Sequence, residues 1–108
     1  MSSKAVKKSN NRELSKNAQK FLRGMSHDIK PVVTIADKGI TENILIELDI
    51  CLNQHELIKV KLRTDRETRN QYINRILKET SAHKIQSIGQ TLTLYRANPK
   101  KPVYELPK

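Results

Sequence analysis

The spacing of apolar residues predicts three helices and four strands in the order α-β-α-β-α-β-β. Apolar positions three and four residues apart, which form one face of a helix, recur in three segments of the chain. The first segment has Leu14, Ala18, Phe21, Leu22 and Met25 on this face, the second Ile44, Leu48, Cys51, Leu52 and His55, and the third Tyr72, Ile73, Ile76 and Leu77. On the second helix Ile46 and Ile50 lie nearly opposite this face, so we expect that helix to contact two neighbours.

Short apolar runs between these helices predict the strands. Residues 31–36 open with proline and are rich in β-branched side chains, which favours a buried strand. Residues 57–63 alternate, with Ile58, Val60 and Leu62 on one side and Lys59, Lys61 and Arg63 on the other. Residues 83–88 and 91–96 flank Gly89-Gln90, a two-residue hairpin of the Gly-X type.

Polar residues before each helical segment predict where the helices begin. Ser15 and Thr41 are the expected N-caps of the first two helices. Thr64 followed by Glu67 three residues later predicts a capping box at the start of the third.

This order of elements predicts an α/β fold, a two-layer α-β-α-β-α-β-β sandwich with a four-stranded mixed sheet. Two right-handed crossovers place the second and third helices on one side of the sheet. The other face is expected to be open, or partly covered by the first helix, and to carry Lys59, Lys61, Arg63, Lys84, Thr91, Thr93 and Tyr95. Residues 1–13 are predicted to be a flexible basic arm, 14–96 the folded domain, and 97–108, which hold three of the four prolines, an extended tail.

The composition indicates a polyanionic partner. The chain of 108 residues fits one small domain and has 21 Lys and Arg against 11 Asp and Glu, a net charge of +10. The excess is uneven: residues 31–58 have a net charge of −4, whereas residues 1–30 and 59–96 each have +6. Segregation of this kind favours a binding face over charge that only aids solubility. With no apolar run of about 20 residues, no signal peptide and one cysteine, we expect a cytoplasmic protein outside the membrane.

The turn 36–39 is the first candidate binding site. It joins a strand to a helix, where backbone N–H groups attract an anion, although an ordinary strand-to-helix turn would look the same. The carboxyl ends of parallel strands meet at one edge, so Arg63, Arg66 and Arg69 are expected near Lys38 and Gly39. The candidate contact residues are Lys38, Gly39, Arg63, Arg66 and Arg69, with Lys20, Arg23, Lys30, Lys59 and Lys61 as further basic candidates. The stripe formed by Lys59, Lys61 and Arg63 could equally be a solvated sheet face.

Other chemistries find little support. Tyr95 is at most one exposed ring for stacking on bases, so recognition is expected to depend on phosphates and shape, and to weaken with salt. Cys51 and His55 lie four apart and could form a metal site or a thiol–imidazole pair. They share the apolar face without a third ligand, which favours core packing. We therefore expect no enzyme activity and no cofactor.

Several strings in this order resemble the CRM domain, named for chloroplast RNA splicing and ribosome maturation. They are residues 21–25, 30–33, 39–41, 55–61, 65–68 and 88–96, and the similarity covers about residues 14–96. The resemblance implies an RNA-binding domain with a fold similar to the C-terminal domain of bacterial translation initiation factor 3. For single-domain bacterial members it implies binding to rRNA in precursors of the large ribosomal subunit and a role in their assembly. We expect such a protein to be a monomer.

The family's RNA-contact loop, a GxxG sequence similar to that of KH domains, maps onto residues 36–39. Ala36 replaces the first glycine and Asp37 adds a negative charge, so Lys38 and Gly39 are the residues carried over. The alternative function is general nucleic-acid binding, either to nucleoid DNA or, as in plant members of the family, to intron RNA.

Overall fold

The computed structural model describes residues 14–108, so the predicted basic arm at 1–13 lies outside the described residues. The elements in chain order are α1 (Lys16–Met25), a 3-10 turn (Ser26–Asp28), β1 (Pro31–Ile35), α2 (Glu42–His55), β2 (Leu57–Leu62), α3 (Arg66–Thr80), β3 (His83–Ile88) and β4 (Thr91–Tyr95). This confirms the predicted order and the α/β class with a four-stranded mixed sheet. In residues 14–108 no helix has both the length and the apolar character needed to cross a membrane.

The sheet has the order β1-β2-β4-β3, with β1 parallel to β2 and β4 antiparallel to both of its neighbours. Strands β1, β2 and β3 therefore end at the same side of the sheet, which we call the loop edge (residues 36–39, 63–65 and 89–90). Gly89 has a φ of 56°, as the Gly-X hairpin requires. Strand β1 lies at the margin of the sheet and buries Val33 and Ile35 only, because its alternate side chains face solvent. The predicted burial of the first strand is therefore limited to its alternate residues Val33 and Ile35.

The main core lies between one face of the sheet and helices α2 and α3. Its buried members are Val33, Ile35, Leu48, Leu52, Ile58, Val60, Leu62, Ile73, Ile76, Leu92 and Leu94. The predicted alternation along β2 is thus confirmed. Helix α2 contacts two neighbours as predicted, the sheet and α3, but Ile46 and Ile50 are 54% and 50% exposed and so are not buried by the second contact. Helix α1 packs on the opposite face of the sheet, so within the described chain nothing covers this side of α2.

A second cluster closes half of the other sheet face. Leu22, Leu57, Ile85 and Tyr95 are buried there, packed against Leu14, Phe21, Ile29, Ala97, Tyr104 and Leu106. Helix α1 and the C-terminal segment cover the half of the sheet where β2 and β3 begin. Tyr95 is consequently 3% exposed, and Thr93, which precedes it by two residues, is 2% exposed, contrary to their predicted place on an open face. Met25, predicted to lie on the apolar face of the first helix, is exposed.

A β-bulge in β3 explains a further correction. The pairing of β3 with β4 shifts between Lys84 and Gln86, so Lys84 lies opposite Leu94. Residues directly opposite each other in an antiparallel pair share a face, which places Lys84 on the helix-covered side. Without the bulge Lys84 would lie opposite Tyr95, as the uninterrupted alternation predicts.

The helix starts agree with the sequence in two of three cases. The hydroxyls of Ser15 and Thr41 accept hydrogen bonds from the backbone N–H groups of Ala18 and Ile44, at 3.0 and 3.2 Å. At α3 the N-cap is Asp65 and not Thr64, since an Asp65 carboxylate oxygen accepts from the backbone N–H of Thr68 at 2.7 Å. A charged acceptor makes the stronger bond. This bond holds the pKa of Asp65 below its usual value.

Glu56 connects the body of the domain to its C-terminal segment. The residue ends α2 at a φ of 63° and is 1% exposed. Its carboxylate accepts hydrogen bonds from the backbone N–H groups of Asn98 (2.6 Å), Val103 (2.8 Å) and Tyr104 (3.0 Å). Residues 97–108 have no helix or strand, and Ala97, Tyr104 and Leu106 pack on the second cluster, where the bonds to Glu56 hold this segment.

Candidate functional site

Three loops meet at the loop edge. The backbone N–H of Arg63, directly after β2, donates to the carbonyl of Ile35, the last residue of β1, at 2.8 Å. The N–H of Leu62 donates to the carbonyl of Gln90 at 2.7 Å. The start of the 36–39 loop, the start of the 63–65 loop and the hairpin therefore lie side by side, as the parallel pairing of β1 and β2 predicts.

Gly39 fits the 36–39 loop against α3. Its backbone N–H donates to the carbonyl of Ala36 at 2.8 Å, which closes a tight turn, and its φ is 71°. A Cβ atom at this position would lie 2.8 Å from the hydroxyl oxygen of Tyr72 in α3. Glycine is therefore required twice here, for the backbone conformation and for the contact with Tyr72. Lys38 remains exposed beside it.

The Gly39→Ala variant is expected to lower the free energy of unfolding by about 1–3 kcal/mol, because alanine is strained at positive φ and would press on Tyr72. Urea denaturation measures this loss. In a Tyr72→Phe background the loss should be smaller, since the nearest atom is then absent. Gly24→Ala is the matched control: a Cβ at Gly24 meets nothing within 4 Å, so its stability should stay level or rise. A Gly39→Ala variant as stable as the parent would contradict this account of the loop.

The cations predicted at the loop edge differ in the contacts that they make. Lys38, Arg63 and Arg66 are exposed, and none forms an ion pair with a residue between 14 and 108. Arg69 is half-buried, and its Nη1 donates to the carbonyl of Thr64 at 3.1 Å, so part of its guanidinium orders the loop after β2. Three free cations and one partly engaged cation therefore lie along the loop edge.

The helix N-termini contribute less to this edge than the sequence predicts. Glu42 lies in the first turn of α2, and Asp65 with Glu67 lies at the start of α3. These carboxylates already provide the negative charge that a helix N-terminus favours. Attraction of a further anion therefore depends on the side chains of Lys38, Arg63 and Arg66.

Lys59 and Lys61 lie on the half of the sheet face that α1 leaves uncovered. Lys61 pairs with Thr34 of β1 and Thr91 of β4, one residue before the end of β2. Beside it a shallow groove of about 300 Å³ is lined by Ser26, His27, Lys59, Gln86, Ile88, Thr91 and Thr93. The loop edge and the open sheet face, which the sequence presents as alternatives, are therefore one continuous surface.

The other predicted contact residues lie apart from the loop edge. Lys20 and Arg23 belong to α1, which covers the opposite half of the sheet. Lys30 directly precedes Pro31, which pairs with Lys59. The structure thus brings Lys38, Gly39, Arg63, Arg66 and Arg69 together and leaves Lys20, Arg23 and Lys30 outside that group.

Sequence reasoning did not find the groove as a site. Ser26, His27, Gln86 and Ile88 line it because of the 3-10 turn and the β-bulge, neither of which has a pattern in the sequence. One signal was available for the covered half of the sheet: adjacent apolar residues Leu57 and Ile58 interrupt the alternation of β2, which indicates that both faces are covered at that end.

In the described residues, the side chains considered for a metal site, a thiol–imidazole pair or base stacking are not arranged for these roles. His55 is exposed, so its predicted place in the core is wrong, while Cys51 packs against the main core. Burial, aided by the nearby Glu47, raises the pKa of the Cys51 thiol, so the thiol stays protonated. Among residues 14–108 no three His, Cys, Asp or Glu side chains are placed to hold a metal ion. Tyr95 is buried and offers no ring for stacking.

Comparison with known proteins places this sequence beside proteins named for RNA binding. The model of the CRS1/YhbY (CRM) domain matches residues 14–96. A Haemophilus influenzae protein named RNA-binding protein is 44% identical over 96 residues, which cover 88% of this chain and 96% of the relative. A Pseudomonas aeruginosa protein named a probable RNA-binding protein is 39% identical over 88 residues, covering 81% and 85%.

The fold is shared with a solved structure as well. The solution structure of the Staphylococcus aureus protein SAV1595, described as a candidate RNA-binding protein, superposes with a TM-score of 0.74 and 28% identity, covering 88% of this chain and all of the other. These relatives are named RNA-binding proteins and not enzymes, which agrees with the prediction for this chain. Because the family model spans most of its length, the chain belongs to the CRS1/YhbY (CRM) domain family.

Proposed function

We propose that this CRM-domain protein binds rRNA, associates with precursors of the large ribosomal subunit and assists their assembly. RNA binding is the property that the family and the names of its relatives share. The observation that carries the proposal is a group of exposed cations, Lys38, Arg63 and Arg66, that form no ion pair within residues 14–108 and lie on a surface continuous with Lys61.

The distribution of charge supports a single RNA-facing side. Glu47 and Asp49 are exposed on α2, which packs against the sheet face opposite Lys59 and Lys61. A carboxylate oxygen of Asp49 forms an ion pair with the guanidinium of Arg96 at 2.8 Å. One of the basic side chains on that side is therefore neutralised. The cations of the loop edge have no such partner among residues 14–108, and an RNA phosphate would provide one.

The burial of the aromatic rings favours recognition of RNA through its phosphates and its shape. Phe21, Tyr72 and Tyr104 are half-buried and Tyr95 is buried, so the described chain presents no fully exposed ring on which a base could stack. Binding that depends on cations releases counterions, and its affinity falls steeply as the salt concentration rises.

Sucrose-gradient sedimentation of a cell extract tests the assembly role. We expect the protein, as a cytoplasmic monomer, to co-migrate with particles lighter than the mature large subunit. Ribonuclease treatment should release it, and crosslinking with sequencing of the bound RNA should identify segments of large-subunit rRNA. Absence from all ribosomal fractions would contradict the assembly role. Recovery of chromosomal DNA or intron RNA in place of rRNA would favour general nucleic-acid binding.

A further inference from the structure

Several of the polar side chains that line the groove on the open sheet face form no hydrogen bond or ion pair within the described chain. Thr93 of β4 forms its floor between Lys59 of β2 and Gln86 of β3, which pair with it on either side. The 3-10 turn forms one wall and Ile88, 65% exposed, stands at the other. Neither Lys59 nor Gln86 makes a side-chain hydrogen bond or an ion pair with residues 14–108.

Thr93 is the most informative of these residues. It is 2% exposed, yet its hydroxyl forms no hydrogen bond with any residue that the structure describes. In this part of the chain no fully enclosed side-chain oxygen or nitrogen lacks a partner, so the Thr93 hydroxyl is not sealed in the interior, and the Thr93 side chain lines the groove. Ser26 differs, because its hydroxyl donates to the carbonyl of Arg23 at 2.7 Å. A hydroxyl that faces the groove without a partner among residues 14–108 is free to bond to water or to a ligand there.

The chemistry of the groove matches a planar heterocycle. The Gln86 amide and the Thr91 and Thr93 hydroxyls both donate and accept hydrogen bonds, while the Lys59 ammonium donates only. Ile88 adds an apolar surface, and a volume of about 300 Å³ is at the small end of ligand sites. A nucleobase combines a polar edge with an apolar face. We propose that the groove accepts one unpaired base of the bound RNA.

Because the groove is continuous with the cations of the loop edge, we expect the base to belong to an RNA strand. Lys61 lies between the groove and Arg63, so a strand whose base enters the groove would pass its phosphates over the cations of the edge. The inference thus rests on the proposed function and adds a subsite to it. A paired base cannot present its Watson–Crick edge to the groove, so the site requires an unpaired nucleotide.

The test compares two RNAs on the full chain: a hairpin whose single-stranded loop contains all four bases, and a duplex with the same stem and no loop. The variants are Thr93→Val, which keeps the β-branched shape, and Gln86→Ala. Each is expected to weaken binding of the hairpin roughly three- to tenfold and to leave binding of the duplex unchanged. Gln54→Ala, an exposed glutamine on α2, is the matched control and should bind both RNAs as the parent does.

Thermal unfolding of the same variants separates a ligand role from a structural one. Removal of a hydroxyl that forms no hydrogen bond within residues 14–108 should leave the Tm of Thr93→Val level or raise it. A parent protein that binds hairpin and duplex equally, or variants that lose affinity for both RNAs alike, would overturn the base site while RNA binding stands. A parent that binds neither RNA would overturn the proposed RNA binding and the base site together.

Discussion

Replacing Glu56 with alanine is expected to lower the free energy of unfolding by about 3–5 kcal/mol, one of the largest losses available to a single substitution here. The change removes the acceptor for the backbone N–H groups of Asn98, Val103 and Tyr104. Hydrogen bonds to a charged acceptor are stronger than neutral ones, and the three donors are partly buried. Urea denaturation followed by circular dichroism measures the loss.

The same substitution should release the C-terminal segment. Tyr104 packs edge-on against Phe21 with ring centroids 6.4 Å apart, and Leu106 joins the same cluster. Once the bonds to Glu56 are gone, we expect limited proteolysis to cleave within residues 98–108 before the rest of the domain. Burial and the Glu56 carboxylate together raise the pKa of Tyr95 to about 12. In Glu56→Ala this pKa should fall, which ultraviolet titration of the phenol can follow.

Two variants show whether the bonds themselves are responsible. Glu105→Ala removes an exposed carboxylate of the same segment and should change the stability little. Glu56→Gln keeps one acceptor oxygen and replaces the other with a donor, so its stability should fall between the parent and Glu56→Ala. If Glu56→Ala is as stable as the parent, the carboxylate does not hold the segment.

Reversing two charges at the loop edge should have the largest effect on RNA binding. The Lys38→Glu/Arg66→Glu variant is expected to weaken rRNA binding roughly 10- to 100-fold at low salt, because two exposed cations become anions beside the phosphates. The slope of log affinity against log salt should decrease by about one for each lost phosphate contact. Both side chains are exposed, so unfolding curves should match those of the parent.

The sheet face and a remote surface provide the comparisons. Lys59→Glu/Lys61→Glu is expected to weaken binding less, since both lysines are half-buried. Arg75→Glu/Lys78→Glu makes the same change in charge on the exposed side of α3 and should have the smallest effect. If the edge variant binds normally while the Lys59/Lys61 variant does not, the sheet face is the main surface and the assignment to the loop edge is wrong.

The local signals in the sequence were reliable where one short-range interaction decides the outcome. The caps at Ser15 and Thr41 involve residues three apart, and the Gly-X hairpin needs one glycine at positive φ. Thr64 shows the limit of such signals, because two neighbouring residues could both cap α3. Asp65 prevailed because a carboxylate is the stronger acceptor.

The amino-acid sequence by itself determined the order of the elements, the main core and the cations that follow β1 and β2. Periodicity and turn residues depend on residues close together in the chain, and the position of the cations depends only on the parallel pairing of β1 with β2. Only the tertiary structure decided which half of the second sheet face stays open. That outcome depends on the bulge beside Ile85, the packing of α1 and the bonds from Glu56 to a segment more than forty residues away. Long-range contacts of this kind produce no periodic pattern in the sequence. Here they keep the groove, with Thr93 at its floor, open next to the loop edge.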